Sequence, residues 1–187
     1  MIRLFTALEI PDPVSLRLQM LQSGLRGARW ISPENFHITL RFIGDVPEDV
    51  ANEIDDALAK INDAPFDIEL EGIGQFGHAK PHAVWAAVKP TPALTALQAR
   101  QEMILQRAGL APETRKYTPH VTLARLTRSA TSPGEVMQYI EHNNLFSAQP
   151  FEAARFVLFS SRASRGGGPY VAERTYDLNS VFHEACE

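Results

Sequence analysis

Apolar and polar residues alternate in two similar stretches of the chain, residues 36–43 and 119–126. Side chains two positions apart share one face of a β-strand, so this alternation predicts two strands with one apolar face each. The first stretch contains His-Ile-Thr-Leu at 37–40, and the second contains His-Val-Thr-Leu at 120–123. Each strand is therefore expected to present an imidazole and a hydroxyl together, opposite a face that packs into a core.

The rest of the chain divides into further strands and amphipathic helices. Helices are predicted to begin at Asp12-Pro13, Pro47, Thr91-Pro92 and Ser132-Pro133, and strands are predicted at 2–10, 66–76, 82–89, 151–161 and 170–178. In the first helix Asp12 is the expected N-cap, and Leu16, Met20 and Leu21 are the expected buried stripe. Ser132 and Glu135 form a capping-box pattern at the start of the fourth helix.

The order of these elements repeats along the chain as helix, motif strand, helix, long strand and strand. This repeat predicts an α+β fold with an internal duplication: residues 1–187 form a single bilobal domain whose lobes are related by a pseudo-two-fold and have interleaved termini. Two antiparallel sheets are expected to face a central cleft, with helices on the outer faces. A pseudo-two-fold would place the two His/Thr faces opposite one another. Since the duplication already supplies a two-fold site, a monomer is expected.

Composition narrows the class of protein further. A chain of 187 residues with 44% hydrophobic residues can bury the core of one domain. The net charge of −4 gives no overall basic signature of a nucleic-acid binder. A local basic cluster does accompany the second motif: Arg115, Lys116, Arg125 and Arg128.

No feature of the sequence predicts a disulfide or a membrane anchor. The single cysteine, Cys186, has no partner for an internal disulfide and no companions for a zinc site. The N-terminal residues 1–11 are typical of a strand rather than of a signal peptide, and no apolar run has the length of a membrane span. We therefore expect a cytoplasmic protein without membrane contact.

Two histidines near neutral pH can supply an acid and a base at the same time, because one imidazole accepts a proton while the other donates one. The hydroxyls of Thr39 and Thr122 can donate hydrogen bonds to oxygens held between His37 and His120. A phosphodiester suits such a site, since in-line displacement at phosphorus needs a base behind the nucleophile and an acid ahead of the leaving oxygen. The scheme requires neither a metal ion nor a cofactor.

Other chemistries have less support in the sequence. A zinc site built on the two motif histidines would need further ligands, for which His78 and His82 are candidates if their hairpin folds over the cleft. The chain has no Gly-x-Ser-x-Gly nucleophile pattern. The glycine triplet at 166–168 lacks the context of a phosphate-binding loop and is expected to belong to a mobile loop at 162–169.

The paired motifs resemble those of the 2H phosphoesterase superfamily. Within it the chain is similar to the bacterial and archaeal RNA 2′,3′-cyclic phosphodiesterases, also called 2′-5′ RNA ligases. The resemblance covers nearly the whole chain and includes RLFTALEIP at 3–11, SPENFHITLRFIGDV at 32–46, GIGQFG at 72–77, YTPHVTLAR at 117–125 and FVLFSSR at 156–162.

This resemblance implies hydrolysis of an RNA 2′,3′-cyclic phosphate end, tRNA fragments included, to a 2′-phosphomonoester, and its reversal as 2′-5′ ligation. It implies that His37 is the general acid and His120 the general base, an assignment that the sequence alone does not make. Thr39 and Thr122 would hold phosphate oxygens. Alternatives within reach of the same motifs are small cyclic substrates such as ADP-ribose cyclic phosphate, or a non-catalytic RNA-binding module.

The resemblance also implies that Arg125 contacts the phosphate and that Phe76 stacks on the terminal base. Regular alternation places Arg125 on the face opposite His120, so it reaches the site only if the strand bulges or ends there. The same alternation puts Arg41 on the face of His37, either as a candidate for contacts to the RNA backbone or as a solvated arginine at the edge of the cleft. It puts Phe42 on the apolar face.

Overall fold

A computed structural model describes residues 1–127, 130–161 and 168–179. Arg128 of the basic cluster, Cys186 and most of the loop predicted at 162–169 lie outside these residues. The described helices are α1 (Asp12–Gln19), α2 (Glu48–Leu58), α3 (Pro92–Arg107) and α4 (Pro133–His142), with a 3₁₀ turn at Pro33–Asn35. The strands are β1 (Ile2–Glu9), β2 (Ala28–Trp30), β3 (His37–Val46), β4 (Phe66–Ile68), β5 (Leu70–Phe76), β6 (Ala83–Val88), β7 (His120–Leu126), β8 (Phe151–Ala153), β9 (Arg155–Ser161) and β10 (Tyr170–Asp177).

Eight of the strands form one antiparallel sheet in the order β10-β9-β1-β3-β7-β6-β5, with β2 paired to β7. The short strands β4 and β8 form a second, two-stranded antiparallel sheet. The predicted α+β class with antiparallel strands is confirmed. The two sheets predicted to face a cleft, one from each half, are instead joined through β3 and β7 into one large sheet.

The motif strands β3 and β7 lie at the centre of the large sheet, where Ile38 and Val121 form their register pair. Beyond β3 come β1 and β9, and beyond β7 come β6 and β5. β1 and β6 each come before the helix that leads to a motif strand. β5 and β9 each come after the helix that follows a motif strand. The two sides of the sheet therefore use equivalent elements in the same order, as a duplication requires. The assignment of residues 1–187 to a single domain stays a prediction.

The apolar faces of the two motif strands lie in the core, as the alternation predicts. Ile38, Leu40, Val121 and Leu123 are at most 2% exposed. Helix α3 contacts β3, and its residues Leu94, Leu97 and Leu105 are completely buried. Burying a leucine or isoleucine side chain contributes about 1.5–3 kcal/mol, so this face holds the motif strands in place. None of the helices formed by residues 1–127, 130–161 and 168–179 has the length and apolar character needed to cross a membrane.

The prediction for α1 was wrong in its cap and in its buried face. Pro11 is the N-cap, and Asp12 is already helical and makes no side-chain capping bond. The buried helical residues are Val14, Ser15 and Leu18. Of the predicted stripe only Leu21, which follows the helix, is buried, whereas Leu16 and Met20 are 62% and 72% exposed. With only eight residues, the helix presents about two turns, and the face toward the core is set by Val14 and Leu18 one turn apart.

The two long strands predicted at 66–76 and 151–161 are each divided by one residue. Glu69 separates β4 from β5, and Ala154 separates β8 from β9. In each case the chain changes sheets at the break, because β4 and β8 pair with each other while β5 and β9 join the large sheet. The breaks fall at equivalent places in the two halves and reinforce the duplication.

The capping box predicted at the start of α4 is confirmed and gives a measurable stability contribution. The Ser132 hydroxyl accepts a hydrogen bond from the Glu135 backbone N–H at 3.3 Å, and the Glu135 carboxylate accepts one from the Ser132 N–H at 2.8 Å. We expect Ser132→Ala to lower the free energy of unfolding in urea by about 1 kcal/mol. Ser23→Ala, at an exposed serine, is the control and is expected to change it by less than about 0.5 kcal/mol. Equal effects of the two substitutions would contradict the capping role.

Candidate active site

A cavity of about 680 Å³ lies where the two halves of the large sheet meet. Its walls include His37 and Thr39 from β3 and His120 and Thr122 from β7. The four side chains predicted to act together are thus brought to one cavity, while the residues between them face the core. The prediction that each motif places an imidazole and a hydroxyl on the same face of its strand is confirmed.

Both imidazoles are held in the same way by the backbone two residues earlier. Nδ1 of His37 lies 2.7 Å from the carbonyl oxygen of Asn35, and Nδ1 of His120 lies 2.6 Å from that of Thr118. A carbonyl oxygen can only accept a hydrogen bond, so Nδ1 of each ring carries a proton and donates. Nε2 of each ring is then the nitrogen available to bind a proton or a ligand in the cavity.

Aromatic rings enclose His37 on its lobe. The centroid of the imidazole lies 5.1 Å from that of Phe5 and 5.2 Å from that of Tyr170, which meets it edge to face. Phe5 and Tyr170 also contact each other at 5.0 Å. These contacts limit the rotation of the His37 ring and reduce its contact with water.

A second aromatic group encloses His120. Phe76 meets the imidazole edge to face at 4.9 Å, and Trp85 lies at 5.6 Å. The Trp85 ring lies over Gly74, where an added Cβ would come within 2.2 Å of the indole. The glycine at position 74 therefore allows the indole to reach the place from which it supports His120.

The aromatic surroundings hold both imidazoles in the neutral state. Burial, with smaller contributions from the nearby His120 and Arg125, lowers the pKa of His37 to about 4 against the opposing effect of the Asn35 carbonyl. Burial and Arg125 also lower the pKa of His120. Near neutral pH both rings are therefore poised to accept a proton, and an anion between them would favour protonation of one.

A β-bulge brings Arg125 to the cavity. In the pairing of β7 with β6, Thr122 lies opposite Trp85 and Ala124 lies opposite Val84, so Leu123 is an extra residue. One extra residue reverses the alternation of faces beyond it, which places Arg125 on the side of His120. The condition set out for Arg125 from the sequence is met. Its Nε is buried without a hydrogen-bond partner among the described residues.

The first motif strand has the same bulge, and it overturns the prediction for Arg41. In the pairing of β3 with β1, Leu40 is the extra residue, since Thr39 and Arg41 lie opposite consecutive residues of β1. Arg41 therefore leaves the face of His37. It still borders the cavity, but it is only 8% exposed and is ion-paired with Glu102. A guanidinium held in this way is not free to contact an RNA backbone.

The same reversal overturns the prediction for Phe42. Alternation places it on the apolar face, but it lines the cavity and is 54% exposed. Its ring lies 6.0 Å from that of Phe5, which in turn contacts His37. Phe42 and Arg125 occupy the same place in the two motifs, five residues after the histidine, so the duplicated bulge presents a ring on one lobe and a cation on the other.

The hairpin between β5 and β6 contributes one of its two histidines to the cavity. His82 lines it and stacks on Phe76 with ring centroids 6.1 Å apart. His78 is exposed in the turn. Within the ranges that the structure describes, no group of three or more His, Cys, Asp or Glu is arranged to hold a metal ion.

Several residues of the site were not found from the sequence. Asn35 and Thr118 act through backbone carbonyls, which leave no side-chain signal, although both precede a motif histidine by two positions. Tyr170 marked only the start of a hairpin strand. Tyr117, whose hydroxyl donates to the carbonyl of Thr39 at 3.1 Å, lies just before the second motif strand, where the period-two pattern carries no signal for such a contact.

Comparison with known sequences identifies the family. The sequence model of the 2′-5′ RNA ligase superfamily matches residues 10–165, and the chain belongs to this superfamily, which confirms the resemblance drawn from the paired motifs. A protein of Aeropyrum pernix named RNA 2′,3′-cyclic phosphodiesterase is 44% identical over 108 residues, which are 57% of this chain and 61% of that protein. A protein of the same name from Archaeoglobus fulgidus is 30% identical over 140 residues, covering 73% and 79% of the two chains.

Solved structures agree in fold. The crystal structure of Escherichia coli LigT complexed with 3′-AMP has a TM-score of 0.77 and 21% identity, covering 96% of this chain and 99% of that chain. A crystal structure of a Thermus thermophilus protein has a TM-score of 0.77 and 24% identity, covering 94% and 97%. At these identities the likeness concerns the arrangement of the elements.

The low pKa of His37 predicts a pH-dependent stability. Unfolding returns the imidazole to its ordinary pKa of 6.5, so the unfolded chain binds more protons than the folded one between about pH 4 and 6.5. The contribution of His37 to stability is therefore lost as the pH falls through this window, by up to about 3 kcal/mol at about 1.4 kcal/mol per pKa unit.

Urea unfolding of the wild type and of His37→Asn at pH 4, 5, 6 and 7 measures this effect. The carboxylates titrate in both proteins, so the difference between them isolates the imidazole. We expect the stability of His37→Asn relative to the wild type to increase as the pH falls. A difference that is constant with pH would contradict the burial of a neutral ring.

Proposed function

We propose that this chain hydrolyses the 2′,3′-cyclic phosphate at the end of an RNA to a 2′-phosphomonoester. The observation that carries the proposal is the pair of histidines on one cavity, each anchored through Nδ1 and each beside a threonine of its own strand. The relatives named RNA 2′,3′-cyclic phosphodiesterase support the same reaction and substrate.

In the proposed reaction the two imidazoles act through Nε2. His120 accepts a proton from water as the water oxygen bonds to phosphorus, and His37 donates a proton to the departing 3′-oxygen as the P–O3′ bond breaks. His120 ends the reaction protonated and His37 ends it deprotonated. Proton exchange with the solvent then returns both rings to their starting states. Each positioned acid or base contributes roughly 10²- to 10⁴-fold to the rate.

The phosphate oxygens would be held by three side chains of the cavity wall. The hydroxyls of Thr39 and Thr122 donate hydrogen bonds to them, and Arg125 supplies a positive charge. The unpartnered Nε of Arg125 supports this role, because a buried donor without an acceptor is costly and an anionic ligand supplies the acceptor.

Acid catalysis by His37 requires a protonated ring, and the bound phosphate would favour this protonation. His37 is neutral near pH 7 because its pKa is lowered by burial to about 4. A phosphodiester anion placed against the ring favours the protonated form and raises this pKa. Substrate binding and proton uptake are therefore coupled in the proposed cycle.

Phe76 would receive the terminal nucleobase on the lobe of His120. Its ring lines the cavity beside the imidazole and is only partly buried. Stacking of a base on an aromatic ring contributes about 1–3 kcal/mol and tolerates any base. Ligation, in which a 5′-hydroxyl replaces water as the nucleophile, the P–O3′ bond breaks and a 2′-5′ linkage forms, uses the same proton transfers. We propose that the chain acts as a monomer and without a metal ion or cofactor.

A short RNA ending in a 2′,3′-cyclic phosphate, incubated with the purified protein and EDTA, tests this proposal. We expect conversion to the 2′-phosphate, separated from the 3′-phosphate by chromatography. His37→Ala and His120→Ala are each expected to lower kcat by at least about 10²-fold, since each removes one proton transfer.

His142→Ala is the matched control, because His142 is exposed at the end of α4 and does not line this cavity. It is expected to retain wild-type turnover. Inhibition by EDTA would overturn the metal-free mechanism, and full activity in a folded His37 or His120 variant would overturn the two-histidine mechanism. Turnover of small cyclic nucleotides but not of RNA would show that the substrate is a small cyclic nucleotide rather than an RNA end.

A further inference from the structure

The two motif strands, which carry the two halves of the site, share little backbone pairing. β3 and β7 meet in one register pair, Ile38 with Val121. By contrast, β3 pairs with β1 along the whole of Ile2–Glu9. A single pair fixes where the strands meet but leaves the angle between them weakly determined, so other contacts must set the position of His120 relative to His37.

The connection between α3 and β7, residues 111–118, supplies these contacts. The hydroxyl of Tyr117 donates a hydrogen bond to the carbonyl oxygen of Thr39 on β3, at 3.1 Å. The next residue, Thr118, accepts the hydrogen bond from Nδ1 of His120. Two consecutive residues of the connection therefore touch the backbone of the first motif and the histidine of the second.

A buried ion pair anchors the other end of the same connection. Arg41, two residues after Thr39, forms an ion pair with Glu102 of α3 and donates from Nη2 to the carbonyl oxygen of Ala111 at 2.8 Å. The carboxylate of Glu102 also accepts from the backbone N–H of Glu113 at 2.9 Å. Removing either partner would leave the other charge unpaired in a largely buried place, which is costly, so the pair stabilises this end of the connection. The residue that the sequence assigned to RNA contacts holds the connection instead.

We propose that Tyr117 is a positioning residue that sets the orientation of His120 relative to His37, with the Arg41–Glu102 pair as its anchor. The inference rests on the proposed function for its effect on catalysis. Tyr117 is partly buried, and burial raises the pKa of its phenol, so the hydroxyl that contacts Thr39 remains a hydrogen-bond donor. Without it, Thr118 and the ring that it orients lose their nearest side-chain hydrogen bond to β3, and only the Ile38–Val121 pair and the Arg41 anchor still join the two motifs.

Tyr117→Phe removes this link while keeping the ring. We expect kcat on the cyclic-phosphate RNA to fall by about tenfold, the upper value for one hydrogen bond, while KM changes by less than about twofold. In ¹⁵N NMR spectra of the imidazoles, the ring signals of His120 are expected to shift and to broaden more than those of His37.

Tyr139→Phe is the matched control, since the buried Tyr139 hydroxyl also donates to a backbone carbonyl, that of Leu21 at 2.6 Å, outside this cavity. It is expected to leave kcat and the His120 signals at their wild-type values, although each variant loses one hydrogen bond from a tyrosine hydroxyl to a backbone carbonyl. Unchanged kcat and unchanged His120 signals in Tyr117→Phe would overturn the proposal. A wild-type protein inactive on every cyclic phosphate would instead refute the proposed function, and the His120 signals would still decide the role of Tyr117.

Discussion

The meeting of β3 and β7 at one buried pair of residues is the constraint on which the site depends. Ile38 and Val121 are completely buried, so the core fixes the face on which their neighbours His37 and His120 emerge. A shift of either strand by one residue would move its histidine into the core. Packing of apolar side chains on one face of the sheet thereby determines the chemistry on the other.

Burial gives the site both its order and its dependence on an anion. The rings of Phe5 and Tyr170 hold His37, and those of Phe76 and Trp85 hold His120. The same enclosure lowers the pKa of both imidazoles, and Arg125 adds to this effect. The negative charge of a phosphate group offsets the desolvation of a protonated imidazole. In the proposed reaction His37 therefore becomes protonated when the substrate binds and is neutral otherwise.

Much of this arrangement could be predicted from the sequence, and the errors have one main physical origin. The His-x-Thr repeats and the strands that carry them were predicted because period-two alternation and β-propensity are local properties. The bulges at Leu40 and Leu123 are not local, since they depend on hydrogen bonding to β1 and β6. Beyond each bulge the predicted faces are reversed, which explains why Arg41 was assigned to the wrong face and why Arg125 was left conditional on a bulge.

Two neutral imidazoles, each with its proton fixed on Nδ1, face one cavity in this protein. Long-range ¹H–¹⁵N NMR spectra of the ligand-free protein at pH 7.5 test this arrangement directly, with the signals assigned through single histidine variants. The predicted result is a protonated Nδ1 and an unprotonated Nε2 in both His37 and His120. A proton on Nε2 of either neutral ring, or a ring protonated on both nitrogens at this pH, would contradict the account.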